Sequence, residues 1–150
     1  MKQSQGFTLI ELITVLVLVG IVGVFGGLFM VKMVQSYRWA EDNAHLSQKA
    51  QVALTRIAVE MAYASGDSIV FSDYTISYDA NYPGEGFVSG NEIIREADKL
   101  VFNGFVLTDR VESFQIDDDN LGHGYFTIIL TMKGANSIDK FFEKTIAVSE

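Results

Sequence analysis

Glu11 is the single charged side chain between Phe7 and Val31, a stretch that also contains no Pro. A carboxylate in that setting acts as a fixed charge. At mid-bilayer it costs about 3 kcal/mol, so it needs either a counter-charge or an interface. Reactive side chains are sparse in the rest of the chain. His45 falls on a predicted helix and His123 in the turn Gly122-His123-Gly124; with no Cys and no HExxH spacing they define no zinc site. Asp117-Asp118-Asp119-Asn120-Leu121-Gly122 is the one metal candidate, with Asp117, Asp119 and Asn120 as calcium ligands. Calcium takes about six to eight oxygens, and this run lacks the spaced ligands and distal Glu of an EF-hand, so a solvated turn between two strands is preferred. No Gly-rich phosphate loop and no serine nucleophile elbow is present. The expectation is a chain that is not an enzyme, with no catalytic residue and no cofactor.

The element that must place Glu11 is the apolar run itself. Twenty-five residues, Phe7 to Val31, make about 37 Å of helix, enough to cross a hydrocarbon core of about 30 Å. Gly20, Gly23, Gly26 and Gly27 cluster within it. Each weakens a helix interior by up to about 1 kcal/mol relative to Ala, while Gly23 and Gly27 also form a small face suited to helix contacts. From Val34 to Ala64 the pattern turns amphipathic. Ala40, Ala44, Ser47, Gln51, Leu54, Ile57 or Ala58, and Met61 form a stripe, with Arg38, Glu41, Asp42, Lys49, Arg56 and Glu60 mostly off it. Nothing breaks the helix before Ser65-Gly66, which predicts one helix over Phe7–Ala64. A partner helix is the rival for that stripe, but apolar residues beyond Gly66 need a helix to cover them.

After Gly66 the period becomes two. Ser68–Ser72, Tyr74–Tyr78, Glu92–Glu96, Lys99–Asn103, Val111–Ile116, Tyr125–Met132 and Thr145–Val148 read as strands. A second hairpin turns at Ala97-Asp98, and Ala80–Gly86 is a loop holding the only Pro. A long helix followed by antiparallel strands predicts an α+β fold. Charge divides unevenly, with six basic and fifteen acidic side chains in residues 66–150. That excess argues against nucleic-acid binding, which needs a basic surface. The leader Met1–Gly6 is too short for an ordinary secretory signal, and no small-x-small site follows the apolar run.

Gly6-Phe7-Thr8-Leu9-Ile10-Glu11, behind a short polar leader and ahead of the apolar run, resembles the class III signal of type IV pilins and type II secretion pseudopilins. The resemblance implies a prepilin peptidase that cuts between Gly6 and Phe7 and methylates the new amino terminus on Phe7. Glu11 then becomes the fifth residue of the mature chain and meets the terminal amine of a neighbouring subunit. An ammonium opposite the carboxylate removes an unpaired charge from an apolar bundle. The implied fold is the pilin ladle: one N-terminal helix, half membrane anchor and half amphipathic, packed on a C-terminal antiparallel sheet. The implied division is leader 1–6, transmembrane and assembly helix 7–31, amphipathic half 32–65 and β-rich head 66–150.

The same resemblance implies a single-pass protein of the bacterial inner membrane, leader in the cytoplasm and head in the periplasm. Other pilin or pseudopilin subunits and an inner-membrane assembly platform are the implied partners. The glycine cluster looks like the segment that loses helical order in such filaments; related chains often carry a Pro there, and this one does not. Ser36-Tyr37-Arg38-Trp39 and Ala62–Gly66 resemble minor pilins and minor pseudopilins more than major ones. Retention of Glu11 separates the chain from tip pseudopilins. Two alternatives stand beside this reading. One is a membrane-anchored periplasmic binding or adhesion domain that never polymerises. The other is a ligand-contacting minor pilin with a small basic patch at Arg95, Lys99 and Arg110.

Overall fold

The computed structural model describes residues 8–135 and 138–148. One helix, α1 (Leu9–Met61), is followed by eight strands: β1 (Val70–Ser72), β2 (Thr75–Tyr82), β3 (Gly86–Glu96), β4 (Lys99–Phe102), β5 (Phe105–Thr108), β6 (Val111–Asp117), β7 (Tyr125–Lys133) and β8 (Asp139–Ala147). This is the α+β order expected. The chain divides into two compact units, Met1–Glu41 and Asp42–Glu150.

In the first unit every described residue, from Thr8 to Glu41, is exposed. A helix apolar on all sides is the pattern of a segment surrounded by lipid or by other helices. The span Leu9–Val31 therefore has the length and composition of a membrane helix and none of its most apolar window is buried.

In the second unit the strands form two antiparallel sheets rather than the single sheet expected: β1-β2-β3-β4-β5 and β6-β7-β8. The C-terminal part of α1 packs Leu46, Ala50, Leu54, Ile57 and Met61 into a core with Ile76, Tyr78, Ile93 and Leu100 of the first sheet. Phe114, Phe126, Ile128, Leu130, Met132 and Ile146 of the second sheet complete it. Each Leu, Ile, Phe or Met among them stabilises the fold by about 1.5–3 kcal/mol through removal from water. The buried stripe differs from the expected one in its first turns. Leu46, Ala50 and Ala53 are buried, whereas Ala44 and Gln51 are exposed; the two stripes merge at Leu54, Ile57 and Met61. Small residues mark both faces, and the choice between them is made by the sheets.

Hairpin positions follow the turn chemistry closely. Glu96 pairs with Lys99 across Ala97-Asp98, with Ala97 at φ 53. β2 and β3 are longer than expected, because Ala80, Asn81 and Tyr82 pair with Val88, Phe87 and Gly86. Pro83-Gly84-Glu85 alone is left as the turn. β5 was not anticipated; Phe105 and Val106 are exposed on it, so it shows no clean alternation. β8 starts at Asp139, ahead of the expected Thr145, and pairs with β7 along its whole length.

Candidate functional site

Thr8 and Glu11 build the start of α1. The backbone N–H of Glu11 donates to Thr8 O at 3.1 Å and to Thr8 Oγ1 at 3.4 Å, and Leu12 N–H donates to Thr8 O at 3.3 Å. Thr8 is thus the N-cap and Glu11 the third helical residue, the spacing of a capping box. A carboxylate in the first turn also faces the positive end of the helix dipole. The cap was legible as Thr-x-x-Glu ahead of an apolar run. Sequence reasoning passed over it because the same four residues carry the resemblance to a prepilin signal. Thr14 satisfies its hydroxyl within the helix, donating to Ile10 O at 2.8 Å. Gly6 and Phe7 lie outside the described residues.

Glu11 is exposed and makes no ion pair among the described residues. At Gly20, Gly23, Gly26 and Gly27 an added Cβ would meet nothing within 4 Å, so no contact within the chain itself requires a glycine there.

Residues 1–26 match the family described as the prokaryotic N-terminal methylation motif. Over that stretch the chain carries the motif and resembles type IV pilins and pseudopilins. No curated protein and no solved structure matches it. The motif implies processing by prepilin peptidase and assembly with other pilins, and with the apolar helix it fits a membrane-anchored subunit. Families with this motif are structural rather than enzymatic. The match ends inside the apolar helix.

In the second unit Glu60, expected mostly off the apolar stripe, is buried at 2 % exposure. Its Oε1 lies 2.5 Å from Arg56 Nη2, and its Oε2 accepts the Tyr78 hydroxyl at 3.1 Å and the Tyr82 hydroxyl. Arg56 and Glu60 stand four residues apart on α1, and of the two only Arg56 reaches solvent. The end of α1 is tied to β2, with Ser65 N–H donating to Asp79 O and Asn81 N–H to Tyr63 O. That attachment carries Tyr78 and Tyr82 to Glu60. Burial pushes the Tyr78 hydroxyl far above the ordinary tyrosine range, with the bond to Tyr82 and the Glu60 charge adding to it. Tyr82 is raised by burial first and by its bond to Glu60 second. Arg56 also lies 5.5 Å from the centre of the Phe102 ring.

Two ion pairs join α1 to the loop between β5 and β6. Arg110 donates to both carboxylate oxygens of Asp42, at 2.8 and 3.0 Å, and Lys49 donates to Asp109 at 2.6 Å. The Arg110 bond holds Asp42 below the usual carboxylate range, and the Lys49 bond does the same for Asp109. Arg110 is paired with Asp42, and Arg95 lies over the Tyr74 ring at 5.9 Å.

Asp117 and Asp118 line a shallow cleft with Asp73 from the β1–β2 turn. Asp117 Oδ1 accepts the Asp119 backbone N–H at 3.2 Å, and the Asn120 carbonyl accepts from His123. Among the described residues no group of three or more His, Asp or Glu is placed to hold a metal ion. His45 and His123 are both exposed, one on α1 and one in a short 3-10 turn.

Proposed function

We propose that this chain is a structural subunit, a minor pilin or pseudopilin, of a bacterial type IV filament. Its parts are a leader 1–6, a transmembrane and assembly helix 7–31, an amphipathic half 32–65 and a β-rich head 66–150. The observation that carries the reading is Glu11, an acid in the first turn of an exposed apolar helix with no partner among the described residues. Cleavage between Gly6 and Phe7 frees an amine four residues away from it in sequence. Between staggered neighbours the amine of one subunit neutralises the acid of the next. Thr8 stays with the mature chain, so the helix keeps its cap after processing.

Assembly proceeds from the inner membrane, where a platform moves the subunit, head on the periplasmic side, into the growing filament. Apolar helices then pack together, with Gly23 and Gly27 as a close-contact face or as part of a softened segment. The test is Glu11→Val alongside Gly6→Leu in the native host. Glu11→Val is expected to leave membrane insertion and cleavage intact and to reduce incorporation into filaments. Removing one partner of a buried pair typically costs about 3–5 kcal/mol. Normal filament yield from Glu11→Val, or a trimmed and methylated Phe7 in Gly6→Leu by mass spectrometry, would count against the proposal.

A further inference from the structure

The apolar part of α1 ends in a ring of different chemistry. Between Lys32 and Trp39 the helix carries two cations, Lys32 and Arg38, and two amphipathic aromatics, Tyr37 and Trp39. Tyr37 is 71 % exposed and Trp39 44 %, so neither is used by the chain's own core. Tyr37, Arg38 and Trp39 follow one another at about 100° steps and so point to three sides of the helix. Lys32 and Trp39 are seven residues apart and share a side, two turns apart along the axis.

We propose that Lys32, Tyr37, Arg38 and Trp39 form a collar that binds lipid phosphate headgroups and sets the depth of the helix in the bilayer. This rests on the reading of the chain as a membrane-anchored pilin-like subunit. Indole and phenol rings settle at the boundary between hydrocarbon and headgroup, with an apolar body inward and a polar tip outward. Lys32, one turn or more deeper than the rings, runs its methylenes along the helix and lifts its ammonium to the phosphates.

The collar has a consequence for Glu11. Lys32 and Glu11 are 21 residues apart. That is about 32 Å of helix, matching a hydrocarbon core of about 30 Å. With the Tyr37 and Trp39 rings at one boundary and Lys32 a turn or more inside it, the helix from the rings to Glu11 exceeds the thickness of the hydrocarbon core, so Glu11 reaches the opposite boundary. Its carboxylate then stays hydrated while the subunit waits in the bilayer, and loses water only when neighbouring helices enclose it. The cost of burying the acid moves from insertion to assembly, where the counter-charge is present.

Trp39 is the only tryptophan and the chain has no cysteine, so both ends of the span can be read in the full protein. The chain is reconstituted in phosphatidylethanolamine–phosphatidylglycerol vesicles whose acyl chains carry bromine at shallow, middle or deep carbons, and flotation is scored first. Trp39 is expected to be quenched most by the shallowest bromines. Lys32→Ala with Arg38→Ala is expected to shift the maximum to deeper ones. In single-cysteine chains, Glu11→Cys is expected to react with a membrane-impermeant maleimide and Leu18→Cys to stay protected. Flotation with Trp39 quenched most from the bilayer centre, or with no change in the double variant, overturns the collar alone. Equal protection of the two cysteines overturns the hydrated position of Glu11. Failure to float overturns the membrane anchor together with the collar. A blue shift of Trp39 emission that grows with protein-to-lipid ratio would make the ring a contact between subunits and overturn lipid binding.

Discussion

The hydroxyl of Tyr78 donates to Oε2 of Glu60 at 3.1 Å, joining β2 to the last turns of α1 across eighteen residues of sequence. Both side chains are buried. The carboxylate is stable there because Tyr82 and Arg56 supply its remaining partners. An acid removed from water without such partners would be strongly destabilising.

Removing one donor should therefore cost more than an ordinary surface hydrogen bond. Tyr78→Phe is expected to destabilise the head by about 1–3 kcal/mol, the range for leaving a buried acceptor short of a partner. Glu60→Gln, which keeps the shape and removes the charge, is expected to couple to it in a double-mutant cycle. Urea unfolding of the full chain in detergent, followed by tyrosine near-ultraviolet circular dichroism, gives both numbers. Strict additivity would show that Tyr78 and Glu60 act separately.

The same pair sets a dependence on alkali. Tyr78 and Tyr82 have folded pKa values raised above the ordinary value of 10.0. A raised folded pKa gives stability that is complete below the unfolded pKa and declines as pH rises past it, because the unfolded state then binds fewer protons. The head is expected to lose stability above about pH 10, with these two hydroxyls ionising only as it unfolds. Ultraviolet titration of tyrosinate shows this late step, and Tyr78→Phe with Tyr82→Phe should abolish it.

The ion pairs Asp42–Arg110 and Lys49–Asp109 act at the other end of the pH scale. Their depressed carboxylates add stability above the unfolded carboxylate range that is lost as pH falls through the folded values. Both pairs are partly exposed, so salt should screen them. Arg110→Ala is expected to lower the thermal midpoint at low salt, and the difference from the parent chain should shrink in 1 M salt, on the order of a 3 Å screening length. An unchanged difference would mean that Arg110 acts through the left-handed turn it occupies, at φ 61, rather than through its charge.

Two glycines should respond oppositely to the same substitution. A Cβ on Gly134 would lie 2.3 Å from the Ile138 carbonyl oxygen, the acceptor of Gly134's own N–H at 3.1 Å. Gly134→Ala is expected to open the β7–β8 connection at a cost of about 1–3 kcal/mol. Gly122 has open space around its Cβ position. Gly122→Ala should change stability by less than about 0.5 kcal/mol. Thermal melts of the two variants side by side decide it.

Thr8 separates capping from processing. Thr8→Ala is expected to fray the first turn of α1, costing about 1 kcal/mol locally, while Thr8→Ser keeps the cap. Amide exchange of Leu9–Glu11 in micelles reports this; equal protection in both variants would remove the capping role.

What the sequence alone determined lies in local chemistry. The apolar run, its single acid and the N-terminal methylation motif are contiguous, and the hairpin at Ala97-Asp98 follows from turn residues next to alternating strands. These features depend on neighbours a few positions away, so periodicity reveals them. The tertiary structure decided which of two small-residue faces on α1 is buried, the separation of the strands into two sheets, and the partners of Glu60, Asp42 and Asp109. Each depends on groups between 18 and 68 residues apart, apart from the local Arg56 contact. No pattern in the chain marks which of many acids will meet a tyrosine or an arginine, because packing against the sheets makes that choice.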